Sequence, residues 1–139
     1  MARAAWACVF AACSLSALSV PGAAQSPPPD SMRSSMSGVY SQGQAERGRE
    51  IYAYNCQSCH TPSSHTGPVF VTAWGGRPLL DLFGFIRENM PQNDPGILSN
   101  KEYAQVLAYL LQMNGMPAGS DELPPDVVTL KGIRFETGR

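Results

Sequence analysis

The sequence predicts an all-α fold with a three-helix core. Two stretches are announced by capping-box spacing, Ser41 with Gln44 and Ser99 with Glu102. A third, rich in Leu and Phe, follows Pro78, a residue suited to a first helical turn. The 12 prolines and 13 glycines among 139 residues assign much of the remainder to loops. This length fits one domain, which usually takes roughly 100–200 residues. Charged residues make up 15% of the chain, below the roughly 25% of an average globular protein. A net charge of −1 excludes an electrostatic nucleic-acid binder and argues against an acidic disordered tail.

The elements follow in order. Residues 1–24 read as an export signal. Arg3 is the only early charge, Ala4 to Val20 is uncharged and largely apolar, and Gly22 and Ala24 suit cleavage after Ala24. An apolar run of about seventeen residues is shorter than a membrane span, which needs roughly 20. Cleavage removes Cys8 and Cys13, leaves Cys56 and Cys59, and leaves no stable membrane span. The mature protein is therefore expected in the periplasm. Residues 25–40 are rich in Ser and Pro, and are expected to form a flexible leader. Residues 41–139 form the folded domain.

Helix one runs from its Ser41 cap towards Asn55. Gly48, Tyr52 and Cys56 recur every four residues and share one face. A glycine inside a helix costs about 1 kcal/mol relative to Ala, so Gly48 marks a close approach of another backbone. Residues 61–77 are expected to be loop. Helix two carries Leu79, Leu80, Leu82, Phe83, Phe85 and Ile86, and stops before Met90-Pro91, because a residue preceding proline is pushed out of helical conformation. Helix three has the Ser99–Glu102 box, an apolar stripe from Tyr103 to Met113, and Gly115 as a left-handed stop. The tail after Met116 is expected to form a short helix and an extended strap over the core.

The decisive motif is Cys56-Gln57-Ser58-Cys59-His60, which reads as a site of covalent c-type haem attachment. Two residues between the thiols let one tight turn present both sulfurs to the two vinyl groups on one porphyrin edge. The next residue, His60, can then reach the iron. A thioredoxin-like pair would open a helix after a strand, whereas this pair ends a helix. A zinc site needs four ligands, and Cys56, Cys59, His60 and His65 match no common spacing. A structural disulfide leaves His60 unexplained. His65 lies too close to His60 to reach the opposite face of the iron and reads as a loop histidine. Met90 is the candidate sixth ligand, because Pro91 holds the chain extended where a flexible thioether can leave the helix. Met116, beside Pro117, and Met113 are its rivals. A His60/Met90 pair leaves iron no open position and raises its potential, which describes an electron carrier rather than an enzyme. Trp74 and Arg77 are secondary candidates, one packing on the haem edge and one pairing with a propionate.

The residues resemble class I c-type cytochromes over about 41–116. The resemblance rests on Gly48-x-x-x-Tyr52-x-x-x-Cys56-x-x-Cys59-His60, Gly67-Pro68, Met90-Pro91 and Val106-Leu107-Ala108-Tyr109-Leu110. It implies three helices around one covalent haem, with Gly48 and Tyr52 meeting helix three near Val106, Tyr109 and Leu110. It also implies that the Pro68 carbonyl accepts the proton on the second nitrogen of His60, orienting the ring. A longer string resembles small periplasmic cytochromes and haem domains found with PQQ-dependent dehydrogenases. It runs from Asp81 through Met90-Pro91, Pro95-Gly96 and Ser99-x-x-Glu102-Tyr103 to Asn114-Gly115-x-Pro117. The implied partners are redox proteins, a dehydrogenase as donor and a terminal oxidase or another cytochrome as acceptor. A permanent dehydrogenase subunit and a haem enzyme with an exchangeable sixth ligand are the alternatives.

Two departures bear on partner choice. Only 29 residues separate His60 from Met90, fewer than in mitochondrial carriers, which leaves more of one haem edge open. The chain has only Lys101 and Lys131, so a lysine ring for docking is absent. Docking through an apolar patch around that edge is expected to depend weakly on salt. Electron-transfer rates should change little as ionic strength rises, and a collapse of the rate would reject apolar docking.

Overall fold

The computed structural model describes residues 32–138. The expected export signal at 1–24 and the first part of the leader, 25–31, lie outside the described residues. Among the described residues five α-helices follow in order: α1 Gln42–Asn55, α2 Gly67–Trp74, α3 Leu79–Asn89, α4 Asn100–Met113 and α5 Val127–Lys131, with short 3-10 turns at Ser35–Ser37 and Pro62–His65. Two short strands, β1 Arg33–Ser34 and β2 Ile133–Arg134, pair in parallel, with Arg33 opposite Ile133 and Ser34 opposite Arg134. The fold is the mostly helical one expected, and α1, α3 and α4 are its three expected helices.

Helix α1 crosses α4 at Gly48, where a Cβ would lie 1.9 Å from the Gln105 carbonyl oxygen and 3.1 Å from the Tyr109 Cβ. The expected backbone contact is therefore present, beside the expected partner on α4. Ala45 and Tyr52 lie on the same buried face of α1 as Gly48. The Ser41 Oγ accepts from the Gln44 amide at 3.2 Å, but the box closes on one side only. The Gln44 side chain is buried and turns away to the tail, donating to the Leu123 carbonyl and accepting from the Leu123 amide, both at 2.8 Å. A buried amide satisfied on both its oxygen and nitrogen outweighs an exposed return bond to the cap.

Helix α4 has a complete capping box. Ser99 Oγ accepts from the Glu102 amide, and the Glu102 carboxylate accepts from the Ser99 amide at 2.7 Å. Its other end closes as a Schellman motif. Gly115 has φ 78°, its amide donates to Gln112, and the Met116 amide donates to Leu111. Eight of its fourteen residues are buried, making it the central rod of the core. Helix α3, whose buried residues are Leu79, Leu82 and Phe83, packs on both α4 and α5, with the Phe83 ring 6.5 Å from that of Tyr103 on α4. Asp81 in the first turn of α3 and Arg87 in the last complement the helix dipole.

Two expectations are corrected. Residues 67–74, expected as loop, form α2. Pro68 sits in its first turn, and Phe70 is buried with its ring 5.9 Å from that of Phe135. Tertiary packing thus organises eight residues that include three β-branched side chains of modest helix propensity. The second correction concerns the leader. From Met32 to Tyr40 the chain is a strap fastened to the tail. Ser35 is buried and exchanges two hydrogen bonds with the Glu136 backbone, at 2.9 and 2.8 Å. Tyr40 is 1% exposed and donates to the Met116 carbonyl at 2.6 Å. The tail itself forms α5 and the extended strap that the sequence predicts, with Phe135 tied back to Arg77 and Gly76.

Gly48→Ala should lower stability by about 1–3 kcal/mol or more, because its methyl group would overlap a backbone carbonyl. A Cβ added at Gly84 in α3 would meet nothing within 4 Å, so Gly84→Ala should gain up to about 1 kcal/mol. Urea unfolding of both variants checks the pair, and a Gly48→Ala protein as stable as Gly84→Ala would reject the crossing.

Candidate functional site

The site begins where α1 ends. Cys56 is the C-cap, with its amide still bonded to the Tyr52 carbonyl at 2.9 Å. The chain then turns sharply, and the amides of Cys59 and His60 both donate to the Cys56 carbonyl, at 3.1 and 2.9 Å. One turn therefore carries two thiols and an imidazole. Both thiols are free; Cys56 is half-buried and Cys59 exposed. Burial pushes the Cys56 thiol above its usual range. Among the described residues, no three His, Cys, Asp or Glu side chains gather as a metal-binding cluster, so the turn lacks the four ligands of a zinc site.

Tyr52, one helical turn earlier, organises this corner. It is 3% exposed, and its hydroxyl lies 3.3 Å from the His60 carbonyl, to which it can donate, and 2.9 Å from His65 Nδ1. Burial, reinforced by Cys56 and Tyr109, pushes the Tyr52 hydroxyl up to about 12, so it remains neutral. Its ring also meets Tyr109 of α4 edge-on at 5.4 Å.

His65 is more than a loop residue. It is half-buried and lies edge-on to the rings of His60, Tyr52 and Phe70, at 4.8, 5.7 and 5.8 Å. Burial first, and the neighbouring His60 second, lower its basicity. Its carbonyl accepts from Asn114 Nδ2 at 2.8 Å, and the same amide group donates to the Leu110 carbonyl at 2.8 Å. Asn114, the C-cap of α4, thus anchors the segment after His60. Its place before Gly115 signals a helix end in the sequence, but the partner 49 residues away is visible only in three dimensions.

Pro68 stands exposed in the first turn of α2, and among the described residues no hydrogen bond joins it to the His60 ring; the ring's aromatic neighbour is His65. Trp74 closes α2 between Phe70 and Phe85, at 6.4 and 5.5 Å. Arg77 lies over the Trp74 ring at 4.8 Å and pairs with Asp81 at 2.9 Å. The structure therefore joins Trp74 and Arg77 to one another, and a run of ring contacts through Phe70 and His65 links Trp74 to His60. The Arg77–Asp81 pair is about half exposed and contributes at most about 1 kcal/mol.

Met90 occupies the C-cap of α3 in extended conformation, φ −131° and ψ 146°, and is half-buried; the Met90–Pro91 peptide is cis. Its rivals are drawn into the core. Met116 is 3% exposed, and Met113 packs against buried residues. The turn at the end of α1 thus carries two free thiols and the imidazole that follows them. Its chemistry fits a haem attached through two thioethers.

Residues 43–110 match the family model described as cytochrome C oxidase, cbb3-type, subunit III. The matched stretch runs from the first turn of α1 to Leu110 in α4, and includes Cys56, Cys59, His60 and Met90. Comparison with curated proteins and with solved structures gives no match.

Asn114→Ala should release the segment after His60 without unfolding the core. Limited proteolysis should cut within Thr61–Thr66 several times faster than in the unaltered protein, while global stability falls by about 1 kcal/mol. Unchanged cutting would reject the anchor.

Proposed function

With residues 43–110 forming a cytochrome c domain, we propose that the protein is an exported single-haem electron carrier that takes electrons from a dehydrogenase and passes them to a terminal oxidase or another cytochrome. The observation that carries this reading is the turn at the end of α1, with two free thiols followed at once by His60. When bound, haem c supplies a reversible one-electron iron couple.

The chain's own residues do the rest. Cys56 and Cys59 would hold the porphyrin edge through thioethers, and His60 would supply a nitrogen ligand to the iron. Tyr52 and His65 restrict the backbone and ring of His60. Met90 would supply a second protein ligand to the iron, which would raise the potential. With both ligands supplied by the protein, substrate would find no place on the iron, which favours electron transfer over catalysis. Pro68 as the acceptor for His60, and Trp74 and Arg77 as groups near the propionates, belong to the same proposal; Arg77 would have to share its charge with Asp81.

Exposed apolar side chains support docking by apolar contact. Val69 is 85% and Ile97 59% exposed, on the two segments that follow His60 and Met90. Among the described residues no helix is long and apolar enough to cross a membrane. An export signal at 1–24 would bring the chain to the periplasm, where the cofactor is attached. A PQQ-dependent dehydrogenase is the donor class that the sequence resemblance favours. The description of the matched family, an oxidase subunit, favours a second reading, a cytochrome held permanently in a redox complex. Co-purification at high dilution separates a fixed subunit from a diffusible shuttle.

Met90→Ala should abolish the weak far-red absorption band that marks a methionine–iron bond. It should also lower the reduction potential by on the order of 100 mV, within the roughly 0.8 V range that axial ligands span. A spectrum and potential identical to those of the unaltered protein would overturn the ligand assignment.

A further inference from the structure

The loop after α3 has little to hold it. Residues 92–97 are exposed, and its internal bonds are the turns from the Asp94 amide to Pro91 at 2.9 Å and from the Ile97 amide to Asp94 at 3.4 Å. Met90 stands at the root of this loop, where its amide makes the last helical hydrogen bond, to the Ile86 carbonyl at 2.9 Å. One residue of α4 crosses to it. Tyr103 is 2% exposed, and its ring meets that of Phe83 on α3 edge-on at 6.5 Å. Its hydroxyl donates to the Met90 carbonyl at 2.7 Å and accepts from the Gly96 amide at 3.0 Å. A single phenol thus fastens both ends of the loop, and the ring behind it is fixed in the core.

We propose that Tyr103 is a positioning residue for the sixth ligand, holding the Met90 backbone in place by bridging Met90 and Gly96. The proposal rests on the reading of Met90 as an axial ligand. A methionine side chain is unbranched and adaptable, so its own torsions cannot fix where its sulfur stands. The anchor has to come from the backbone, and here the backbone is exposed loop on one side and a helix end on the other. A ligand whose supporting shell is loose competes poorly with an external one. Tyr103 touches Met90 only through the carbonyl, so its effect is on how often the thioether is in reach.

Tyr103→Phe in the haem-loaded protein keeps the ring against Phe83 and removes both hydrogen bonds. The far-red methionine–iron band should weaken. Cyanide should bind the oxidised protein about tenfold more tightly, and the Gly96 amide should exchange with solvent about tenfold faster, because the Met90 carbonyl and the Gly96 amide both lose their tether. Leu111→Val, a buried change two turns further along α4, should lower stability but leave cyanide affinity unaltered. Wild-type cyanide affinity and Gly96 exchange in Tyr103→Phe would overturn the proposal with its premise standing, as would an equal rise in affinity in Leu111→Val. An unchanged band in Met90→Ala would overturn it through the premise. Should Tyr103→Phe fail to take up haem, an unprotected Gly96 amide in the unaltered protein would itself reject the bridge.

Discussion

The passage of Gly48 against the Gln105 carbonyl is the constraint on which the rest of the molecule depends. It sets how closely α1 can lie on α4, with no side chain between them. Once the two are seated, α4 becomes a rod from which the functional groups are held. Gln105 and Tyr109 take up α1, Tyr103 reaches the root of the Met90 loop, and Asn114 reaches the segment after His60. A wider crossing would move both loops relative to the rod, because each is attached to α4 by one or two hydrogen bonds and neither has a large apolar face of its own.

Both groups read as iron-binding sides of the site stand where helices stop. Cys56 is the C-cap of α1 and Met90 the C-cap of α3. A helix interior would point such side chains along a face already committed to packing, whereas a helix end frees the backbone to turn and redirect them. The freedom has a cost: carbonyls at a helix end lack intrahelical partners and the following residues tend to fray. Here the nearby carbonyls are met by phenols and an amide, namely Tyr52 at His60, Tyr103 at Met90 and Asn114 at His65 and Leu110. Two aromatic side chains that pack in the core with their rings thus serve the loops with their hydroxyl groups.

Much of this was legible in the sequence, and the reasons for the remainder are physical. The ends of α1, α3 and α4 follow from caps, prolines and Gly115, all of which act within a turn. The Cys56–His60 motif acts within five residues, and Gly48 announced a contact because a glycine there is otherwise unfavourable. Helix α2 was hidden because Val69, Val71 and Thr72 argue locally against a helix, and only burial of Phe70 against Phe135 decides otherwise. The strap at 32–40 was hidden because Ser35 finds its partner 101 residues away. The Tyr103 hydroxyl was hidden behind its ring, since an apolar stripe accounts for the residue without asking where its oxygen goes.

The pairing of β1 with β2 has a topological consequence. Arg33 and Ile133 are partners in register, so the first and last segments of the described chain run side by side along one edge of the domain. The domain is nearly a closed loop of polypeptide, the condition under which a chain can be re-opened elsewhere and its ends joined. Anything appended at either end, whether a leader, a tether or a second protein, is attached at this same edge of the domain.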